Sequence, residues 1–296
     1  MITHCGYIAI VGRPNVGKST LLNKILKQKV SITSRKAQTT RHTILGIQTE
    51  ESHQYIYVDT PGIHLHAKKM MNKMMNKSAT SVLSDVDLIL FVCDALRWTD
   101  DDEQVLSLIK RVDKPCYLIL NKVDTFKDKS QLLPCLEEMS KKHAFTGMIP
   151  ISAKTGDQLD ALHACLHQVL PEGPHYFDKD QVTDRPTKFL CAEILREKVF
   201  RLCGQELPYG VTVDIESFKE DEAGVAHIHA LVLVEKESHK RMIIGEHGTK
   251  LKTIASAARL DMEKLLDQKV FLKTWCKVKS GWSDDERLLK QLGYGH

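Results

Sequence analysis

No uninterrupted apolar run approaches the roughly 20 residues needed to cross a bilayer; the longest, such as 88–93 and 230–234, fall far short. A membrane-spanning chain is excluded on that ground. The eight cysteines include no CxxC pair, and the histidine pairs His64-x-His66 and His227-x-His229 have no third ligand at metal spacing. Reduced thiols and solvated or core histidines are expected, not a disulfide framework or a zinc site. Aromatic residues make up 6% of the chain, without the interleaved set that stacks bases on an RNP-type sheet. A net charge of +4 over 296 residues is too small to announce a nucleic-acid binder by itself. No basic stretch precedes the first apolar run, so no secretory signal and a cytosolic location are expected. What remains is near the globular average, 42% hydrophobic and 27% charged, at a length that suggests about two domains.

From residue 7 to about 170, short β-branched runs alternate with helical stretches: YIAIV then GKSTLLNKILKQ, LILFVCDA then DDDEQVLSLIKRV, YLILNKVD, and MIPISAK then DQLDALHACLHQVL. Such alternation predicts an α/β domain, a mostly parallel sheet with helices on both faces. Two runs, 43–48 and 54–58, are separated by the polar TEESH and predict a hairpin at one edge. The Pro-rich, aliphatic-poor 174–187 predicts a linker, dividing the chain into domains at 1–173 and 188–296. Beyond it the order becomes helix, two strands, a short helix, a long helix over 249–266 and a strand over 270–279, the pattern of a small α+β domain. Its 240–279 stretch holds ten Lys/Arg against four Asp/Glu, a local net of +6.

The chemistry-bearing motifs lie at strand ends. Gly12-Arg13-Pro14-Asn15-Val16-Gly17-Lys18-Ser19 matches GxxxxGKS between a strand and a helix, with Thr20 carrying the loop into the helix. The glycines let successive backbone N–H groups turn toward phosphate oxygens, and the helix N-terminus adds partial positive charge. Lys18 is placed to reach the β- and γ-phosphates, and the Ser19 hydroxyl suits Mg²⁺, a hard cation. Asp59-Thr60-Pro61-Gly62 closes the second hairpin strand, where Asp59 can hold the Mg²⁺ shell and the Gly62 N–H can face a γ-phosphate. Asn121-Lys122-Val123-Asp124 ends a parallel strand at the edge where open α/β sheets bind ligands. The Asp124 carboxylate can accept both N1–H and N2–H of guanine, while adenine would leave it unpaired. Lys122 can lay its stem along the base, and Ser152-Ala153-Lys154 offers a backbone N–H for guanine O6. In this order the motifs predict a guanine-nucleotide site.

With these motifs, the segment KAQTTRHTILGI, the passage TDRPTKFLCAEILREK and the tail KVKSGWSDDERLLKQLGYG, the chain resembles the translation-factor-related GTPases, and within them the Era-type family. The resemblance covers nearly the whole length. It implies a GTPase domain followed by a type II KH domain, a GTP/GDP cycle and a switch threonine at Thr39 or Thr40, with Thr40 chosen. Ile63 stands where Ras-like enzymes carry the glutamine that orients water, so slow intrinsic turnover is expected. Asn15 is similar to an asparagine that holds K⁺ in related GTPases, which would make Asn15, Lys18, Thr40 and Gly62 the catalytic set and Ser19, Thr40 and Asp59 the Mg²⁺ set. In a KH domain, Ile244-Gly245-Glu246-His247-Gly248 is the GxxG turn that clamps unpaired nucleotides, with Lys250 and Lys252 following. Glu246 is an unusual acid there. The resemblance further implies binding to the 3′ end of small-subunit ribosomal RNA and a role in assembling the small ribosomal subunit. A monomer and a peripheral contact with the inner membrane through Lys68, Lys69, Lys73 and Lys77 are also expected.

Overall fold

A computed structural model of the chain describes residues 2–34, 39–63, 69–126, 128–203, 207 and 210–294. His64, His66 and Lys68, and the first three residues of KAQTTRHTILGI, lie outside them.

The first half is built from β1 (His4–Val11), α1 (Lys18–Ile25), β2 (Ile44–Glu50), β3 (His53–Asp59), α2 (Met70–Asp85) and β4 (Leu88–Asp94). There follow α3 (Asp100–Ile109), β5 (Cys116–Asn121), α4 (Leu132–Ser140), β6 (Gly147–Pro150) and α5 (Leu159–Val169). The six strands form one sheet in the order β2-β3-β1-β4-β5-β6, parallel except for the antiparallel β2-β3 hairpin at the edge. In β4 six consecutive apolar residues are buried, as a central strand covered on both faces requires. One face packs Leu21 and Leu22 of α1 and Leu162 and Leu166 of α5. The other packs Ala79 and Leu83 of α2, Leu106 and Ile109 of α3 and Met139 of α4. Because β1, β3, β4, β5 and β6 run parallel, the loops after β1, β3, β5 and β6 emerge at one end. All four nucleotide motifs therefore meet there.

Residues 170–186 contain no regular element beyond isolated bridges, and they pass the start of β1, Gln54 of β3 and then β2. The Ile47 N–H donates to the Val182 carbonyl (2.8 Å) and the Leu45 N–H to Asp184 Oδ1 (3.1 Å). Gln54 Oε1 accepts from the amides of Tyr176 and Phe177. The segment thus satisfies backbone groups that an edge strand would leave open.

The second half runs α6 (Thr187–Leu202), β7 (Val211–Glu220), β8 (Ala226–Val234), α7 (Glu237–Ile244), α8 (Thr249–Leu266), β9 (Val270–Val278) and α9 (Glu286–Gln291). The αββααβ order expected from the sequence is present, with α6 starting one residue early. Its sheet has the order β7-β8-β9, β9 parallel to β8, and α6 and α8 cover one face through Leu195, Val199, Ile254 and Ala258. Two elements are additions to the sequence reading. Lys73 and Lys77 of helix α2 were expected on a face that meets lipid, yet the helix also buries Met71 and Met75 against Trp282, Leu289 and Tyr294 of the C-terminal segment. That segment, read as a tail, is a packed part of the junction between the two halves.

Candidate functional site: a nucleotide loop and an RNA-type turn

The phosphate loop is fixed by glycine geometry. Gly17 has φ 105°, and a Cβ there would lie 2.2 Å from Asn121 Nδ2, so no side chain fits. The loop is braced by that same asparagine: Asn121 Nδ2 donates to the Val16 carbonyl (2.7 Å) while its Oδ1 accepts from the Ala153 amide (2.9 Å). Asn121 is thus a strut between loop and last strand. The Ala153 amide is engaged by it, and the neighbouring Ser152 amide donates to the Asp157 carbonyl (3.1 Å). Asp124 is aimed by Ser152, whose hydroxyl donates to Oδ1 at 2.7 Å. Lys122 Nζ is held by Asp94 at 2.7 Å, which leaves its stem free to flank a planar base.

Lys18 is 6% exposed, and among the described residues its ammonium donates to the carbonyls of Gly12 (2.9 Å) and Arg13 (3.1 Å). Burial pulls its pKa from 10.5 down to about 8, against the favourable pull of Asp59. Such a cation is stabilised most by an anion arriving at the loop. Arg13 behaves otherwise than its motif position suggests. Its guanidinium turns away to Asp102 (2.8 Å) and the Arg97 carbonyl (3.2 Å), leaving the backbone as its contribution to the loop. Asp102 also accepts from the Thr99 amide and hydroxyl, so the start of α3 anchors the loop from behind.

Beside Lys18, oxygens converge. Ser19 Oγ lies 2.6 Å from Thr40 Oγ1 and 2.8 Å from Asp59 Oδ2, and Ser31 Oγ donates to the same Oδ2 at 2.9 Å. Asp59 is fully buried, its Oδ1 has no hydrogen-bond partner among the described residues, and burial raises its pKa despite Lys18 and the hydroxyls. A buried carboxylate with an unpartnered oxygen among hydroxyl groups fits a hard divalent cation. Thr40, not Thr39, faces this cluster; the Thr39 carbonyl accepts from Arg196 at 2.6 Å. Ser31 was not anticipated, since a lone serine in a polar loop carries no spacing signal. Gly62 packs so close to Pro14 that a Cβ would sit 2.8 Å from its ring, and Thr60 is tied to the Ile10 carbonyl. Ile63 is buried in the core, only 6% exposed, and has no reach toward a water at the loop. Asn15, with φ 64°, is exposed at the crest of the loop, lining the cavity with Lys18, Ser19, Thr39, Thr40 and Gly62.

The second site is the turn between α7 and α8. Gly245 has φ 71°, and a Cβ would lie 2.6 Å from Lys250 Cβ, while Gly248 has φ 76° at the start of α8. Ile244 packs on the domain core, which roots the turn, and Glu246 and His247 are exposed at its tip. Lys250 is half-buried and Lys252 exposed, both on the first turn of an 18-residue helix whose N-terminus favours anions. Arg259 is paired with Glu263 (2.8 Å), which engages it away from a ligand. Lys69 is likewise engaged, by Glu235 at 2.9 Å and Ser283 at 3.0 Å, and does not stand free on the face expected to meet lipid.

A nucleotide loop, a strand-end carboxylate for guanine and a GxxG turn in an αββααβ domain together define a P-loop GTPase joined to a KH domain. The profile of 50S ribosome-binding GTPases matches residues 7–122, and that of KH domains residues 206–283. GTPase Era of Haemophilus ducreyi is 56% identical over 292 residues, spanning 99% of this chain and 96% of its own. Era of Histophilus somni is 56% identical over the same share of this chain and 97% of its own. Two solved Era structures superpose with TM-score 0.96 at 39% identity, covering 99% of this chain and 100% of theirs. One, from Aquifex aeolicus, is a variant bound to GDP and aluminium fluoride; the other holds MgGDPNP and nucleotides 1506–1542 of 16S ribosomal RNA. The chain belongs to the Era family of GTPases, and it hydrolyses GTP.

Proposed function

We propose that the chain is a GTP-driven switch that grips single-stranded ribosomal RNA, the 3′ end of the small-subunit RNA, while GTP is bound, and releases it after hydrolysis during assembly of the small subunit. The observation that carries this reading is the pairing, in one chain, of a phosphate loop whose buried lysine ammonium donates to the loop's own carbonyls with a KH turn rooted by Gly245 and Ile244. The Era complex with MgGDPNP and 16S nucleotides supports it.

The geometry supports a role for each residue. Lys18 and the loop amides hold the phosphates, Asp124 reads guanine, and Ser19, Thr40 and Asp59 would hold Mg²⁺. When bound, that ion supplies positive charge at the β- and γ-phosphate oxygens. The Gly62 amide would face the γ-phosphate, and Thr40 would close over it. With Ile63 buried, no side chain at that position orients water, so rate must come from charge and positioning. Asn15, exposed at the crest of the loop, would hold K⁺ and so add a charge where an arginine finger acts in other GTPases.

The test is phosphate release from GTP with and without an RNA ending in the ribosomal 3′ sequence, together with RNA affinity in GDPNP and in GDP. Tighter binding in GDPNP and faster release with RNA are expected. Equal RNA affinity in both nucleotides would remove the switch and leave a KH protein with an unrelated GTPase.

A further inference from the structure

The segment between α1 and β2 carries Thr40 to the oxygen cluster, yet many of its fixed contacts belong to the other half of the molecule. Glu197 of α6 is fully buried, and its Oε1 accepts from the Thr33 amide (3.1 Å) and hydroxyl (3.3 Å). Its Oε2 accepts from Lys29, which also pairs with Asp261 of α8 at 3.2 Å. Arg201 donates to the Thr33 carbonyl and hydroxyl at 3.2 and 2.9 Å. Arg196, 1% exposed, forks onto Glu193 at 2.7 and 2.6 Å and with the same NH2 reaches the Thr39 carbonyl at 2.6 Å. Further along, Arg41 donates to the Val211 carbonyl (2.7 Å), and His42 Nδ1 meets the Gly293 carbonyl at 3.0 Å. Burial pulls the His42 pKa down to about 4, so this last contact is made by a neutral ring at neutral pH.

Buried charges are retained at a desolvation cost that only good geometry offsets. Here the geometry is spent on backbone atoms of the segment that ends at Thr40. We propose that Arg196 and Glu197 are positioning residues for GTP hydrolysis, fixing Thr39 and Thr33 so that Thr40 Oγ1 stands over Ser19 and Asp59. The C-terminal domain thereby completes the nucleotide site of the N-terminal one. Arg196 holds the carbonyl directly before Thr40, which sets the direction in which that residue faces. Glu197 holds the start of the segment and, through Lys29, ties it to α8, the helix that begins at the GxxG turn. This inference rests on the assignment of Thr40 as the residue that closes on the triphosphate.

A positioning role and a merely structural one separate by nucleotide. Thr40 can act only when a γ-phosphate is present, so loss of its positioning must spare GDP. The full-length protein with Mg²⁺ is assayed for single-turnover GTP hydrolysis and for affinity toward GDPNP and GDP, in Glu197→Gln, Arg196→Lys and Lys29→Gln, with Thr40→Ala as reference. Glu197→Gln keeps shape but presents an amide to donors, and Arg196→Lys keeps charge beside Glu193 but cannot span to Thr39 as well. Both are expected to slow hydrolysis by about tenfold, because small misplacements at a reacting centre carry such costs. GDPNP affinity should fall several-fold and GDP affinity should hold. Lys29, half-exposed, should show the same pattern more weakly, and it carries the comparison if the buried variants do not fold. Parental rates in folded variants, or equal losses for GDPNP and GDP, would overturn the positioning role while leaving Thr40 in place. Parental hydrolysis in Thr40→Ala would instead overturn the assignment beneath it.

Discussion

The loop at 12–19 and the turn at 245–248 both use glycine to bring backbone N–H groups toward a phosphate, yet their surroundings are opposite. Around the loop Lys18 and Asp59 are buried, Lys18 is pulled down to about 8, and Asp59 is pushed up with one oxygen unpartnered among the described residues. Around the turn Glu246, His247 and Lys252 stand in solvent. A compact polyanion with its cation is recognised by an environment strained in its absence. A flexible strand is recognised by an exposed surface whose contacts are screened and individually small. The loop therefore responds to removal of one group in an all-or-none way, and the turn responds in increments.

The largest effect that tests this contrast is Lys18→Ala. GTP hydrolysis should drop by about 10² to 10³, as when a preorganised charge is removed from a transition state. RNA binding by the nucleotide-free protein should be unchanged. The same lysine gives a pH signature. In the nucleotide-free protein its proton leaves above about pH 8, and a bound phosphate restores it. Titrating nucleotide calorimetrically at pH 8.5 in buffers of different ionisation enthalpy should reveal proton uptake; none in any buffer would mean Lys18 is already held by another anion. The sign for folding is the reverse of a salt bridge. Because the unfolded lysine keeps its proton to a higher pH, nucleotide-free stability gains from this group as pH rises from 8 toward 10.5.

Next in size is Asp124→Asn, which should shift preference from GTP toward xanthosine triphosphate by about two orders of magnitude in relative affinity. Competition binding of the two nucleotides measures it, and an unaltered ratio would remove Asp124 as the base reader. At the turn, Glu246→Asp combined with His247→Asp should weaken single-stranded RNA by somewhat over tenfold without touching GTP affinity. If RNA binds as before, the turn is only a junction of helices. A smaller change is expected from exchanging Na⁺ for K⁺ at constant ionic strength, with faster hydrolysis in K⁺ and no difference in Asn15→Ala. Equal rates in the parent would discard the K⁺ role. Smallest is Lys250→Ala, for which the slope of log affinity against log salt should flatten by about one phosphate contact. An unchanged slope would place Lys250 off the RNA track.

Which parts were legible in the sequence follows from how local the chemistry is. A phosphate loop must place its lysine and serine within one turn of a helix, so GKS at 17–19 reads from spacing alone. Asp59 and Asp124 read because they end strands. Asn121 was assigned to the nucleotide, and the motif marks its position, but its use as a strut depends on Val16 and Ala153, more than 100 and about 30 residues away. Arg13 matched the loop pattern while its guanidinium belongs to Asp102. Arg196 and Glu197 sit in EILREK, a stretch indistinguishable by composition from a solvated helix face, and nothing local marks them as buried. Helix α2 was overlooked as a packed element because MMNKMMNKSATS reads as polar, although its methionines at 71 and 75 share one face.

The clamp on 29–42 also has a history in time. Its partners, residues 193–201, 211 and 293, follow it in the chain by about 165 residues or more in most pairs. A chain made from its N-terminus has its phosphate loop, hairpin and base-reading strand on hand before any of these partners exists. Contacts between such distant residues form late even in a free chain, because long loops must close first. A newly made nucleotide domain thus begins life with its central loop in place and this segment held only from its own half, by Asn23 on Val30 and Ser31 and by Ser31 on Asp59. It acquires its second grip only when the RNA-binding half has been made and has folded against it.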